Sequence, residues 1–264
     1  MVLVDYINNT GGKWIMKINT EYLNRLIVTA ILSIFTTLVI SDLALSFEFT
    51  GWGHGATGYE LAVIDAQKGE LPMILYFHID SNDSCERLEN EYLGVYELDE
   101  FLINVPKSEI NLGGTEFEKA IATQYKVEND PALFVIFPAW ESEPQGVTPF
   151  LEDRDMTLNE FINNIRDIFI LGYNNKANTC FEEEEYDKAL KYLETAKGFD
   201  PNRAYTYYAI GAVYHNIAVE KKDSESVKKA EENYLKALKI DPNYKDSQEG
   251  LDTLRKDIDK INAR

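Results

Sequence analysis

Runs of apolar residues alternate with amphipathic segments along the first half of the chain. Continuous apolar runs are typical of strands covered on both faces, whereas apolar positions three or four apart indicate helices. These patterns predict strands at 73–79, 101–105, 132–138 and 146–150, the last at a sheet edge because it contains Pro149. They predict helices at 58–68, 83–96, 116–125 and 158–169. This order of elements indicates an α/β sandwich.

The second half of the chain has a helical pattern that repeats. The stretches YDKALKYLETAKGFDPN and KKAEENYLKALKIDPN end at Pro201 and Pro242, and their alanines coincide when the prolines are aligned. The charged residues 220–226 are interpreted as a polar loop that lengthens the second repeat, and 245–262 as a capping helix. Since no proline interrupts 158–182 and Gly172 is its only weak point, we predict one continuous or barely kinked helical path between the two halves.

Charge is distributed unevenly among three segments. The 264 residues carry 45 acidic and 26 basic side chains, a net charge of −19. Residues 47–170 hold 24 acids and 7 bases, whereas 1–46 and 171–264 are nearly balanced. We therefore predict an N-terminal extension, an α/β domain and a helical domain with these boundaries. The negative charge excludes nucleic acid as an electrostatic partner.

The N-terminal segment 26–41 contains no charged residue. As a helix it would span about 24 Å, less than the roughly 30 Å core of a bilayer. Basic residues precede it, and small residues follow at 44 and 46, so it is typical of a secretory signal cleaved before Phe47 or of an uncleaved anchor. We expect export to a periplasmic or extracellular compartment, with membrane contact only through this segment. Met16 and Lys17 would provide the short basic start of such a signal, so the hypothesis is that translation starts at Met16, in a prokaryote, rather than at Met1.

The α/β domain resembles the thioredoxin fold over about 58–170. The stretch MILYFHIDSNDSCERLE (73–89) resembles the strand, active-site turn and first helical turn of that family, and ENDPALFVIF (128–137) resembles the approach to its cis-proline. The resemblance gives the cis-proline role to Pro131. It places Cys85 on the second cysteine of the redox motif and Asn82 on the nucleophilic first.

This departure predicts that the redox chemistry is absent. Thiol–disulfide exchange needs an attacking thiolate and a resolving thiol, and the amide of Asn82 supplies neither. Asn82, Asp83 and Ser84 are interpreted as helix-capping residues, and Cys85 as a retained, semi-buried thiol beside several carboxylates. The alternative is a monothiol redox protein in which Cys85 forms mixed disulfides, because a helix N-terminus favours a thiolate.

The helical domain resembles two tetratricopeptide repeats, in which small residues such as Gly211 let paired helices approach. The resemblance implies a concave groove that binds an extended polypeptide. Family positions that face this groove correspond to Asn174, Asn178, Tyr205, Tyr208, His215 and Asn216. Asparagine amides can bind a peptide backbone and tyrosines add rigid contact area; the alternative is that these side chains only pack or face solvent. The basic clamp of carboxylate-binding members is missing.

Together these features favour a non-catalytic protein that binds polypeptide partners through the groove, the Pro131 region, or both. Two cysteines and three scattered histidines lack the spacing of a metal site. We expect neither a metal nor a cofactor.

Overall fold

The computed structural model describes residues 4–8, 14–18, 51–80, 82–128, 130–140 and 142–262. The chain divides into two compact units, 1–52 and 53–264. In the first unit, β1 (Val4–Asn8) pairs antiparallel with β2 (Trp14–Ile18). The predicted signal segment 26–41 and its cleavage site lie outside the described residues. Among those that are described, no helix is long and apolar enough to cross a membrane.

A five-stranded mixed sheet organises the α/β part of the second unit. Its strand order is β3-β5-β4-β6-β7. The strands are β3 (Trp52–His54), β4 (Met73–His78), β5 (Lys107–Asn111), β6 (Ala132–Ile136) and β7 (Gln145–Val147). The central strand β4 runs parallel to β5 and antiparallel to β6. Its first five residues are buried, which explains the continuous apolar run.

Four helices accompany this sheet. They are α1 (Gly55–Gly69), α2 (Asp83–Leu88), α3 (Tyr96–Phe101) and α4 (Glu116–Gln124), with a turn of π-helix at Glu89–Leu93 after α2. On one side of the sheet, Ala66 of α1 and Ile121 of α4 pack against Met73 and Phe77 of β4. The predicted α/β sandwich is confirmed.

The predicted strand at 101–105 is wrong, because the chain there ends α3 and turns. Leu102 and Val105 are buried, whereas Ile103 between them is 73% exposed. The real strand is β5, whose polar sequence gave no apolar signal. Its first residue, Lys107, is buried with its ammonium group 2.7 Å from Oδ1 of Asp99, and this ion pair allows a charged residue in a central strand.

The helix α5 (Leu158–Glu182) continues from the α/β part into the repeats, as the absence of proline predicted. We call it the shared helix. It begins with a capping box in which Thr157 and Glu160 bond each other's backbone N–H groups. Phe161, Phe169 and Tyr173 are buried along it. The predicted domain boundary at 170/171 falls inside this helix.

Four further helices follow the shared helix: the first packs against the shared helix, the second and third pack against each other, and the last covers this second pair. They are α6 (Tyr186–Phe199), α7 (Ala204–Lys221), α8 (Ser224–Ile240) and α9 (Lys245–Asn262). The predicted polar loop at 220–226 is wrong: only Lys222, in a left-handed conformation, and the N-cap Asp223 separate α7 from α8. The other residues of this stretch belong to the ends of the two helices, where the charged side chains of Glu220, Lys221 and Glu225 are exposed.

An aromatic junction joins the α/β part to the first helical pair. The ring of Trp140 stacks on Phe137 at 4.7 Å between centroids and meets Tyr173 and Tyr192 edge-on at 5.3 and 5.5 Å. Glu70, at the end of α1, accepts a hydrogen bond from the Tyr192 hydroxyl at 2.9 Å, and its backbone carbonyl accepts one from Tyr173. The two parts of this unit therefore share a packed, hydrogen-bonded contact.

Candidate functional site

Asn82 is the N-cap of the helix that follows the central strand. Its Oδ1 accepts hydrogen bonds from the backbone N–H groups of Ser84 and Cys85, at 3.0 and 3.1 Å. Asp83 is the first residue of that helix. The side chain at the position that the sequence resemblance gives to the nucleophile therefore caps the helix. An amide cannot attack a disulfide.

Cys85 lies beneath this turn with 2% of its surface exposed. Its Sγ accepts the backbone N–H of Ile79 at 3.4 Å. The phenol of Tyr76 donates a hydrogen bond to Glu89 at 3.2 Å. Burial, followed by the neighbouring Cys85 thiol, raises the pKa of Tyr76, which keeps this group protonated. The thiol is thus enclosed by protein.

Arg87 is the only basic residue in 80–89. Its guanidinium group forms ion pairs with Glu91, at 3.0 Å, and with Asp155, and lies 4.7 Å above the ring of Phe150. These contacts raise the pKa of Arg87, chiefly through Asp155. This cation is therefore engaged by two carboxylates and an aromatic ring.

The expected cis-proline is wrong. The described residues contain no cis peptide bond, so the bond between Asp130 and Pro131 is trans. Pro131 directly precedes β6, whose first residue, Ala132, pairs with Phe77 of β4. The chain thus enters β6 with the peptide bond before Pro131 in the intrinsically favoured trans form.

Three of the expected groove residues lie together on the facing surfaces of α5 and α7. Nδ2 of Asn178 donates to the hydroxyl of Tyr205 at 2.8 Å. The ring of Tyr205 lies 6.3 Å from that of Tyr208. Both tyrosines are partly exposed, so this part of the surface can contact a partner.

The other three expected groove residues are engaged in packing. Asn174 is 4% exposed, and within the described ranges its Oδ1 has no hydrogen-bond partner. Asn216 donates to the carbonyl of Ala212 in its own helix. Nε2 of His215 lies 3.3 Å from Asp257 on α9, so the capping helix covers this histidine.

Sequence reasoning missed two tyrosines next to this surface. Tyr234 of α8 packs against Gly211 and Gly250, at each of which a Cβ would come within 2.7 Å of its ring. Tyr244 packs at 5.7 Å from Tyr208. The two glycines were the available signal, because a helical glycine often marks the close approach of a large side chain.

A separate cavity of about 400 Å³ opens between α1 and the loop after β6. Tyr59, Tyr125 and Trp140 line it, and the two tyrosine hydroxyls lie 3.1 Å apart. Burial raises the pKa of Tyr125. No cluster of metal-ligating side chains is found in the part of the chain that the structure describes.

The family model of the tetratricopeptide repeat matches residues 172–203 and 204–244. This confirms the two predicted repeats. No curated protein matches the chain.

Similar solved structures are thioredoxin-like. The oxidised C-terminal domain of DsbD from Neisseria meningitidis is 19% identical, covers 44% of this chain and 97% of its own, and has a TM-score of 0.36. A thioredoxin from Thermus thermophilus is 18% identical, with coverage of 45% and 87% and a TM-score of 0.35. Thioredoxin O2 from Arabidopsis thaliana, in the oxidised state, is 12% identical, with coverage of 46% and 96% and a TM-score of 0.34.

Proposed function

We propose that this chain, a thioredoxin-like α/β part joined to two tetratricopeptide repeats, is an extracytoplasmic, non-catalytic protein that binds polypeptides through the repeats. The observation that carries the proposal is that the turn resembling a redox motif has no nucleophilic thiol. Asn82 caps a helix where a nucleophilic thiol would be needed, and Cys85 is buried beneath it. A dithiol reaction has no route through this turn.

The repeats supply the binding surface. Repeats of this kind generally stack helices into extended surfaces that bind proteins. Here Asn178, Tyr205 and Tyr208 offer amide and aromatic groups on neighbouring helices. The α/β part stabilises this surface, because the shared helix and the aromatic junction hold the first repeat against it.

Site-specific photocrosslinking tests the binding role. A photoreactive amino acid at position 205 should give discrete crosslinks to polypeptides in cells, because Tyr205 lies on the proposed surface. The matched control is position 235, where Leu235 is 50% exposed on α8. Equal crosslinking from both positions, or none from 205, would contradict the proposal. Cell fractionation tests export: recovery of the chain from the cytoplasm contradicts an extracytoplasmic role.

A monothiol redox protein is the second candidate. The observation in its favour is the hydrogen bond from the N–H of Ile79 to Sγ of Cys85, since such donors stabilise a thiolate. Alkylation distinguishes the two functions. In a Cys180→Ser variant, Cys85 is the only thiol, and rapid labelling of the folded protein at neutral pH would favour the redox function. Labelling only after unfolding supports the binding function.

A further inference from the structure

Three tyrosines form a partly exposed cluster where the second repeat meets the capping helix. The ring of Tyr208 lies 6.3 Å from that of Tyr205 and 5.7 Å from that of Tyr244. We call these three residues the tyrosine cluster. The rings are tilted against each other by 53° and 58°, and all three side chains are partly exposed, so the cluster forms part of the protein surface.

Two carboxylates stand beside this cluster. Asp246 and Glu249 are exposed and three positions apart on α9, hence on one face of that helix. Neither forms an ion pair within the described ranges. Burial first, and then the charge of Asp246, raises the pKa of Tyr244 to about 12, and the same causes raise the pKa of Tyr208. Asp246 lies in the first turn of α9, two residues after Tyr244, so this carboxylate adjoins the cluster, and Glu249 lies one turn further along the same helix.

The basic residues nearest in sequence leave this surface with a net negative charge. Arg203 is held by Asp167 and by Asp200, the latter at 3.5 Å. Lys245 is exposed and is the only base among residues 241–249, which contain three acids. Aromatic faces carry negative electrostatic potential, as carboxylates do, so both features attract cations and repel anions.

We propose that the tyrosine cluster, together with Asp246 and Glu249, binds a lysine or arginine side chain of the polypeptide partner. This inference rests on the proposed function, and it specifies the charge of the polypeptide that the repeats bind. The cation lies against the tyrosine rings, and the two carboxylates pair with its charge. An extended basic segment is therefore the preferred partner, and an acidic segment is excluded.

Fluorescence anisotropy with defined peptides tests the inference. The probes are fluorescein-labelled peptides of alternating serine and arginine, with counterparts carrying glutamine or glutamate at every arginine. At physiological ionic strength, the arginine peptide should bind roughly tenfold more tightly than the glutamine peptide. The glutamate peptide should bind most weakly.

Matched variants separate the site from general charge attraction. Asp246→Asn with Glu249→Gln should lower the affinity for the arginine peptide toward that of the glutamine peptide. The control, Glu231→Gln with Glu232→Gln, removes the same charge from exposed positions of α8 and should change affinity by less than about twofold. Tyr244→Phe should retain binding, since it keeps the ring, whereas Tyr244→Leu should weaken it.

Each contrary result overturns the inference. Equal losses in the two charge variants would show attraction by net charge alone. Equal affinity for the arginine and glutamine peptides would show that the surface binds peptides but does not recognise a cationic side chain. Binding of none of the peptides also overturns it, whereas crosslinking from position 205 decides the proposed function separately.

Discussion

The ring of Phe137 packs directly against Gly172, at the point where any side chain on the shared helix would stand. A Cβ added to Gly172 would overlap three atoms of that ring. This glycine lies in the middle of a helix, where it costs about 1 kcal/mol relative to alanine. Its presence there is explained by close packing of the α/β part on the helix.

We expect Gly172→Ala to destabilise the protein despite the better helix propensity of alanine. The clash with Phe137 should cost about 1–3 kcal/mol or more, and it exceeds the gain in propensity. Chemical denaturation measures the effect. Gly198→Ala is the control, because nothing lies within 4 Å of the point where its new methyl group would stand, and it should stabilise slightly. Stabilisation by both substitutions would show that Phe137 does not pack on the helix.

Asn82→Cys should form a disulfide with Cys85 under oxidising conditions. The two positions lie three apart on the first turn of α2, within reach of a bond. Because the nearby carboxylates disfavour the negative charge of a thiolate, we expect the variant to reduce insulin only slowly even though it forms the bond. Peptide mass spectrometry and an insulin-reduction assay measure these outcomes.

Asn82→Ser is the control for the loss of the cap, because serine caps a helix without adding a thiol. Failure of the 82–85 bond to form would mean that this turn differs from the redox turn it resembles. Insulin reduction by the unmodified protein at a thioredoxin-like rate would contradict the proposed loss of the nucleophile.

Stability should fall in acid partly through Glu160. Its carboxylate is paired with Arg154 at 2.8 Å and accepts the N–H of Thr157, which lowers its pKa from 4.5 to about 2. Since the folded pKa lies below the unfolded one, this contribution is complete above pH 4.5 and is lost as pH falls toward 2.

Glu160→Gln should therefore destabilise the protein most at neutral pH and least near pH 2. Urea unfolding of both proteins across this range measures the difference. The exposed Glu152→Gln is the control for a general change in charge. A difference that is independent of pH would show that the carboxylate is not engaged in the folded state.

Limited proteolysis should spare residues 168–176. Phe169 and Ile170 are buried in the middle of the shared helix, so a protease needs at least local unfolding to reach the backbone there. A nonspecific protease with mass-spectrometric mapping of early fragments measures this. Early cleavage in 168–176 would indicate a flexible linker and contradict the continuous helix.

The sequence pattern predicted the elements whose buried positions carry side chains of one kind, either apolar or small. The run at β4 is apolar because both faces are covered, and the alanines of the repeats mark close helix packing. Strand β5 was missed because its burial depends on the pairing of Lys107 with Asp99, which no local pattern records. The short turn at 222–223 was predicted as a longer loop because the charged residues on either side of it suggested a loop. These residues lie on exposed faces of two long helices.

The candidate site was predictable only in part for a similar reason. Family positions identified Tyr205 and Tyr208, which lie at the surface. His215 was interpreted as a groove residue, but the distant Asp257 of the capping helix covers it. Tyr244 was missed because it lies in the connection between α8 and α9, whereas its partner Tyr208 lies on α7, a full helix away in sequence. Such pairings depend on tertiary packing rather than on spacing along the chain.

The shared helix also fixes the directions in which the side chains at its two ends point relative to each other. Each residue of an α-helix advances the chain by about 1.5 Å and turns it by about 100°. A one-residue insertion between Phe161 and Tyr173 would therefore swing the faces of this helix out of alignment, so that contacts made at its two ends could no longer be satisfied together. The number of residues between these two positions is therefore constrained in any chain that keeps both packed surfaces, whereas its terminal turns and loops are not.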